Sequence, residues 1–87
     1  MKIYAYNGQS NICGKRIYEA RKKNHITQSQ LTARLQIAGI CIERDSISKI
    51  ESGRRFVADY EIVAFSRALD VSVIWLLGIA NNQQDEH

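Results

Sequence analysis

An 87-residue chain that is 45% hydrophobic and has no proline is sized for one small domain with a modest core. No apolar run approaches the ~18–20 residues needed to span a bilayer, and the start, Met1-Lys2-Ile3-Tyr4-Ala5-Tyr6-Asn7, lacks the apolar centre of a secretory signal, so a cytoplasmic protein without a membrane partner is expected. The net charge of +3 is unevenly spread: residues 1–58 hold eleven Lys/Arg against four acids, and residues 59–87 hold one against five. That asymmetry fits a basic face for a polyanion on one half and a packing or partner role for the other, unless the bases merely solvate helix faces.

Residues 1–10 read as an N-terminal arm: a short alternation over Lys2–Tyr6, then the turn formers Asn7-Gly8-Gln9-Ser10. The first helix is predicted from near Asn11, a good N-cap, to about Lys23, with Cys13, Ile17 and Ala20 on its inner face. Asn24 stands where the chain leaves that helix, and Asn tolerates the left-handed conformation. The second helix has the clearest start, because Thr27-Gln28-Ser29-Gln30 fits a capping box. Leu31 and Leu35 then face inward, and Gly39 supplies the turn after Ala38.

A third helix is predicted over about Arg44 to Ser52, with Ile47 and Ile50 inward, Gly53 as its stop, and Glu43 and Asp45 at the positive end of its dipole. After the loop Gly53–Ala58 comes a fourth, roughly Tyr60–Leu69, turning Ile62, Phe65, Ser66 and Leu69 to the core. Ser72 caps a short fifth, Val73–Leu77, which Gly78 ends. The expected fold is therefore an all-α, compact five-helix bundle over 11–78, with residues 79–87 as a polar C-terminal tail.

Cys13 and Cys41 form no C-x-x-C pair and read as two buried small hydrophobes, and His25 and His87 are too few for a metal site. There are no paired carboxylates on one face, no nucleophile beside a His and no phosphate-cradling glycine loop. An enzyme is not expected, nor is a cofactor.

Four segments together carry a resemblance: Gly14-Lys15-Arg16-Ile17 with Arg21-Lys22-Lys23; Thr27-Gln28 with Leu31; Ile47-Ser48-Lys49-Ile50-Glu51-Ser52-Gly53; and the run Ala68–Gly78. In that order they resemble the lambdoid phage repressor/Cro-type (XRE-like) family of helix-turn-helix domains. The resemblance implies a lambda-repressor-like DNA-binding domain, a bacterial or prophage transcription regulator whose partner is double-stranded DNA. Its second helix of the pair lies across the major groove, where outward polar side chains read base edges. Those side chains would be Arg44, Asp45, Ser46, Ser48 and Lys49. Arg44 is first choice because a guanidinium can bond a guanine's O6 and N7 together, and Lys49 is second. Asp45 could accept from a cytosine amino group or serve only the helix dipole, and Ser46 could meet base or phosphate.

The resemblance also implies a phosphate contact from Gln28 at the second helix's first turn, against the alternative of a solvated side chain. Arg54 and Arg55 are expected at the DNA backbone. Arg21 and Glu51 are expected to form a partly buried ion pair tying the first helix to the third. Useful affinity generally needs two recognition helices, so a homodimer is expected, with Ile74 and Trp75 helping to form its contact unless Trp75 completes the protomer core. No small-molecule effector domain is evident. The rival reading is a protein-interaction module on the same fold, such as an antitoxin or anti-repressor.

The chain departs from the family between its second and third helices. Leu35 to Ile47 is twelve positions where about seven are usual, through the apolar Gln36–Ile42 stretch, which should pack as an added helical turn and a longer loop. Thr32 stands where a small Ala is usual, and Glu43 where Ser, Thr or Asp usually caps.

Overall fold

The computed structural model describes residues 6–82. Five helices follow in order: α1 Gly14–Lys23, α2 Gln28–Ile37, α3 Arg44–Glu51, α4 Asp59–Leu69 and α5 Val73–Leu76. No strand accompanies them among the described residues, only a bridge between Tyr6 and Gln9.

The local chemistry explains where each helix begins. Asn11 Oδ1 accepts the Gly14 amide at 2.7 Å, although the residue flanking α1 is Cys13. The Thr27 hydroxyl accepts the Gln30 amide at 3.0 Å while Gln30 Oε1 accepts the Thr27 amide at 2.8 Å, so α2 opens on the full reciprocal box. Glu43 makes no side-chain bond at the start of α3. At α4 the Glu61 carboxylate, three residues in, reaches back to the Ala58 amide at 3.0 Å. Ser72 caps α5 through the Trp75 amide at 3.1 Å.

All five helices stop the same way. A left-handed residue (His25, Gly39, Gly53, Asp70 or Gly78) turns the chain, and the next amide bonds back to a carbonyl in the last turn. Asn24 is not the left-handed residue after α1: it stays at φ −97°, and His25 takes φ 57°. The Asn24 side chain instead donates to the Ala20 carbonyl at 2.8 Å, which holds it within the last turn.

One core joins the helices, built from Ile17, Ala20, Leu31, Leu35, Ile47, Ile50, Phe65, Leu69 and Leu76 with smaller neighbours. Burying an Ile, Leu or Phe side chain stabilises by about 1.5–3 kcal/mol relative to exposure. α3 packs on α1 and α2, and α4 on α1, α2 and α5. The compact part runs past its expected end at Gly78, because Ala80 is buried and its carbonyl accepts from Arg16 Nη1 at 3.1 Å. Of the expected arm, Tyr6–Gln9 form a turn, and the Ser10 amide donates to the Gly53 carbonyl at 2.7 Å. Residues 1–5 and 83–87, and so most of the predicted arm alternation and most of the tail, lie outside the described residues.

The Gln36–Ile42 stretch divides by residue. Ile42 is buried in the core, Ala38 and Ile40 pack against it, and Ile37 points outward at 88% exposure. Cys13 is buried as expected, but Cys41 is exposed, because the irregular run after Gly39 packs Ile40 and Ile42 inward and leaves the thiol between them outside.

Candidate nucleic-acid interface

The alternation of α3 separates two faces. Ile47 and Ile50 are fully buried beneath it, whereas Arg44, Asp45, Ser48 and Lys49 are exposed and Ser46 is half-buried. The Gln36–Ile42 stretch does not cover that flank, since its packed members turn into the core. α3 thus presents a continuous polar edge, anchored from below by two isoleucines.

Three contacts set the pose of α3. Arg21, on α1, grips Glu51 with two hydrogen bonds, Nε to Oε2 at 2.7 Å and Nη2 to Oε1 at 2.9 Å, with both side chains largely buried. Its remaining nitrogen, Nη1, donates to the Ile26 carbonyl at 3.0 Å, so the guanidinium also fastens the turn before α2. That carboxylate's bond raises the Arg21 pKa further above its ordinary value and outweighs the opposing effect of burial. Gln28 completes the cluster by donating from Nε2 to Glu51 Oε1 at 3.1 Å. One side-chain N–H of Gln28 is thereby committed to the protein, and an amide carries a second.

Asn11 makes the third contact. Its Nδ2 donates to the carbonyls of Ile50, at 3.0 Å, and Arg55, at 2.8 Å, joining the start of α1 to the end of α3 and the loop beyond. Sequence reasoning had only its capping oxygen in view. An amide side chain offers both donors and acceptors, but nothing local shows that the donors reach across 39 and 44 positions.

Gln28 lies in the first turn of α2 and Arg44 in the first turn of α3. With Arg21, Thr27 and Ser29 they line an open cleft of about 480 Å³, where first-turn amides favour an anion.

The two arginines after α3 differ. Arg54 is exposed, its Nε donating only to the Ser52 hydroxyl at 2.9 Å. Arg55 is half-buried and bonds both oxygens of Glu61, at 3.1 and 3.2 Å, as well as the Phe56 carbonyl. Burial alone would raise the Glu61 carboxyl's pKa, but the hydrogen bonds from Arg55 and Ala58 and the Arg55 charge hold it below the ordinary value. Arg55 is therefore occupied in closing the loop onto α4, a role that the capping position of Glu61 could have signalled.

Trp75 lies in the protomer core at 6% exposure. Arg16 stacks 5.3 Å from its ring centroid and donates to its carbonyl at 2.8 Å. Of the two residues expected at a dimer contact, only Ile74 is partly accessible.

A family model for the helix-turn-helix domain matches residues 14–79, spanning all five helices. The chain belongs to that family. No curated protein matches it. In this helix-turn-helix domain, the connection between α2 and α3 is carried by the Gly39 turn and the buried Ile42. Among the described residues no group of three or more His, Cys, Asp or Glu could hold a metal ion, and no helix is long and apolar enough to cross a membrane.

Proposed function

We propose that this protein is a sequence-specific regulator of transcription of the lambdoid repressor/Cro type, which lays α3 in the major groove of double-stranded DNA. The observation that carries the reading is the uncovered polar edge of α3 above a buried Ile47–Ile50 underside, held by the Arg21–Glu51–Gln28 cluster. In this reading Arg44 and Lys49 read bases, with Asp45, Ser46 and Ser48 beside them. Gln28 and Arg54 hold phosphates, and Arg55 supports the loop that places Arg54.

The protein acts as a homodimer on a palindromic operator and represses by occupancy. One α3 reaches only a few base pairs, and half-sites about 34 Å apart fit two copies in contact, since the domain measures 33 × 29 × 21 Å. Selection of bound sites from random duplex DNA, followed by salt titration, tests this directly. Enrichment of a palindrome, with affinity falling as salt rises, supports it. Failure to enrich any sequence overturns it.

A second reading, a protein-interaction module, draws on Ile37. That exposed isoleucine, with Ala38 and Ala68, forms an apolar opening between Arg34 and Arg67 that lies apart from the α3 edge. Salt-insensitive behaviour on DNA, together with loss of a partner protein on Ile37→Ser, favours that reading.

A further inference from the structure

A second apolar groove, of about 240 Å³, runs between the Tyr6–Gln9 turn and the loop following α3. Tyr6, Ile12 and Phe56 stand 66%, 53% and 51% exposed along it, while Ile62 and Leu77 lie half-buried. Among the described residues, no Asp, Glu, Lys, Arg or His lines this groove, although charged residues make up 24% of the chain. We infer that the groove is the seam of a two-fold dimer, occupied by the same groove of a second copy. The inference rests on the dimeric reading above and names the surface that reading needs.

The charge pattern selects the occupant. In a two-fold contact the same patch meets itself, so any charge near the axis faces its own like. A charge-free patch rich in aromatics is the composition that a self-contact tolerates and that interface centres favour. DNA and charged peptides would find no charged partner among the described residues there. The Ile37 opening, flanked by Arg34 and Arg67, would bring like charges together across an axis and is unsuited to this role. Trp75 is already enclosed by its own protomer.

The groove is also fastened to the DNA-facing helix. Ser10 bonds Gly53, and Asn11 bonds Ile50 and Arg55, so the groove wall is continuous with the end of α3. A dimer closed here fixes one α3 relative to the other. Its size points to weak association. An aromatic side chain carries about 150–250 Å², so Tyr6 and Phe56 together present roughly 200–300 Å² per copy. Two copies then supply only part of the ~1,200 Å² at the low end of stable interfaces. Self-association in free solution should therefore be weak and should strengthen when DNA holds two copies side by side.

Sedimentation equilibrium of the full chain from about 10 μM to 1 mM, without DNA, tests the seam. The expected result is a reversible dimer that Phe56→Ser and Ile12→Ser each weaken at least tenfold, while Ile37→Ser and Ile74→Ser leave it unchanged. A chain that stays monomeric at the highest concentration overturns the inference, as does a dimer insensitive to Phe56→Ser and Ile12→Ser or one abolished by Ile74→Ser. Should the serine variants unfold, amide spectra of the wild type on dilution decide instead. Shifts confined to residues 6–12 and 54–58 support the seam, and shifts centred on α5 remove it. A protein that dimerises through Phe56 but selects no duplex loses the DNA reading and keeps the seam. One that binds a palindrome as a dimer indifferent to Phe56→Ser loses the seam and keeps the DNA reading.

Discussion

Gly14, the first residue of α1, lies directly against the main-chain carbonyl of Ile50 near the end of α3. A Cβ on Gly14 would run into that oxygen and would stand 2.9 Å from Asn11 Oδ1. The carbonyl cannot move aside cheaply, since it also accepts from Asn11 Nδ2 and from the Gly53 amide that closes α3. Gly14→Ala should gain about 0.5–1 kcal/mol of helix propensity and lose more through overpacking, about 1–3 kcal/mol or beyond. The melting temperature should fall by roughly 5–15 °C. A variant melting at or above the wild type would show that the two helices can separate without cost.

Glu51 sits at the centre of the same joint, with the Arg21 guanidinium and the Gln28 amide both on its carboxylate. Removing one side of a buried pair strands the other charge and costs about 3–5 kcal/mol. Glu51→Ala should therefore lower stability by that order, a large part of the ~5–15 kcal/mol typical of a domain, and should weaken DNA binding only as a consequence. Thermal unfolding checks the first part. At a temperature where both proteins are folded, DNA affinity should recover towards wild type. A Glu51→Ala protein that melts with the wild type refutes the structural role.

Much of this architecture is legible from local patterns. Thr27 and Gln30 cap α2, Ser72 caps α5, and the 3.6-residue spacing of Ile17, Leu31, Leu35, Ile47 and Ile50 puts each of them in the core. Each of those signals acts within one or two turns of chain. What escaped notice acts over longer distances or in irregular backbone. His25 takes the left-handed position because the bond from Ile26 to Arg21 fixes which residue turns, and the neighbouring Asn24 loses on geometry rather than propensity. Cys41 is outside because its two neighbours, Ile40 and Ile42, take the inward positions, whereas apolar character alone placed it inside. Trp75 has a partner, Arg16, that no motif ties to it, and Arg55 is paired with Glu61, whose capping position is a local signal but whose partner is not. On the polar edge of α3, residue types are readable in the sequence, but whether they are uncovered depended on how Gln36–Ile42 packs.

Arg54 and Arg55 are adjacent yet should behave oppositely. Arg54 is exposed and held only by Ser52, so Arg54→Ala should leave stability within about 0.5 kcal/mol and reduce the salt slope of DNA binding by about 0.9 per protomer. Arg55 closes the loop on the buried Glu61. Arg55→Ala should lower the melting temperature and leave the slope per protomer unchanged. Glu61, whose carboxyl titrates below its ordinary value in the folded chain, contributes stability that is present above the unfolded pKa and is lost as pH falls through the folded one. Glu61→Gln should accordingly flatten the acid limb of the stability profile. Acid and salt titrations of the three variants separate these roles, and a reduced salt slope in Arg55→Ala would put that guanidinium on DNA.

The two thiols should differ as sharply. Cys13 is buried, and burial pushes its pKa from the ordinary 9.0 up to about 11. Cys41 is exposed. A thiol reagent at neutral pH should label one cysteine in the native protein and both after denaturation. The raised pKa of Cys13 has a stability consequence whose sign is fixed. Its neutral form is favoured by folding, so the contribution is complete below pH 9 and declines as pH rises towards 11, by about 2–3 kcal/mol in all. Cys13→Ala should remove that alkaline decline. Native labelling of both thiols at equal rates would contradict the burial on which this rests.

Arg44 is the first candidate for reading bases in the proposed docking, and its position allows two outcomes. It opens α3 on the exposed edge, pointing towards bases in the proposed docking, but it also borders the cleft shared with Gln28, where a phosphate would sit. A guanidinium bonded to a guanine edge discriminates by about 1–3 kcal/mol. One bonded to phosphate adds affinity without preference and contributes to the salt slope. Arg44→Ala, measured against the selected site and against that site changed at each position in turn, distinguishes the two. Base reading predicts that the penalty for changing one base pair disappears in the variant while the other penalties persist. Uniform weakening across all sequences, with a shallower salt slope, would assign Arg44 to the backbone and pass the reading role to Lys49 and Ser48 on the same edge.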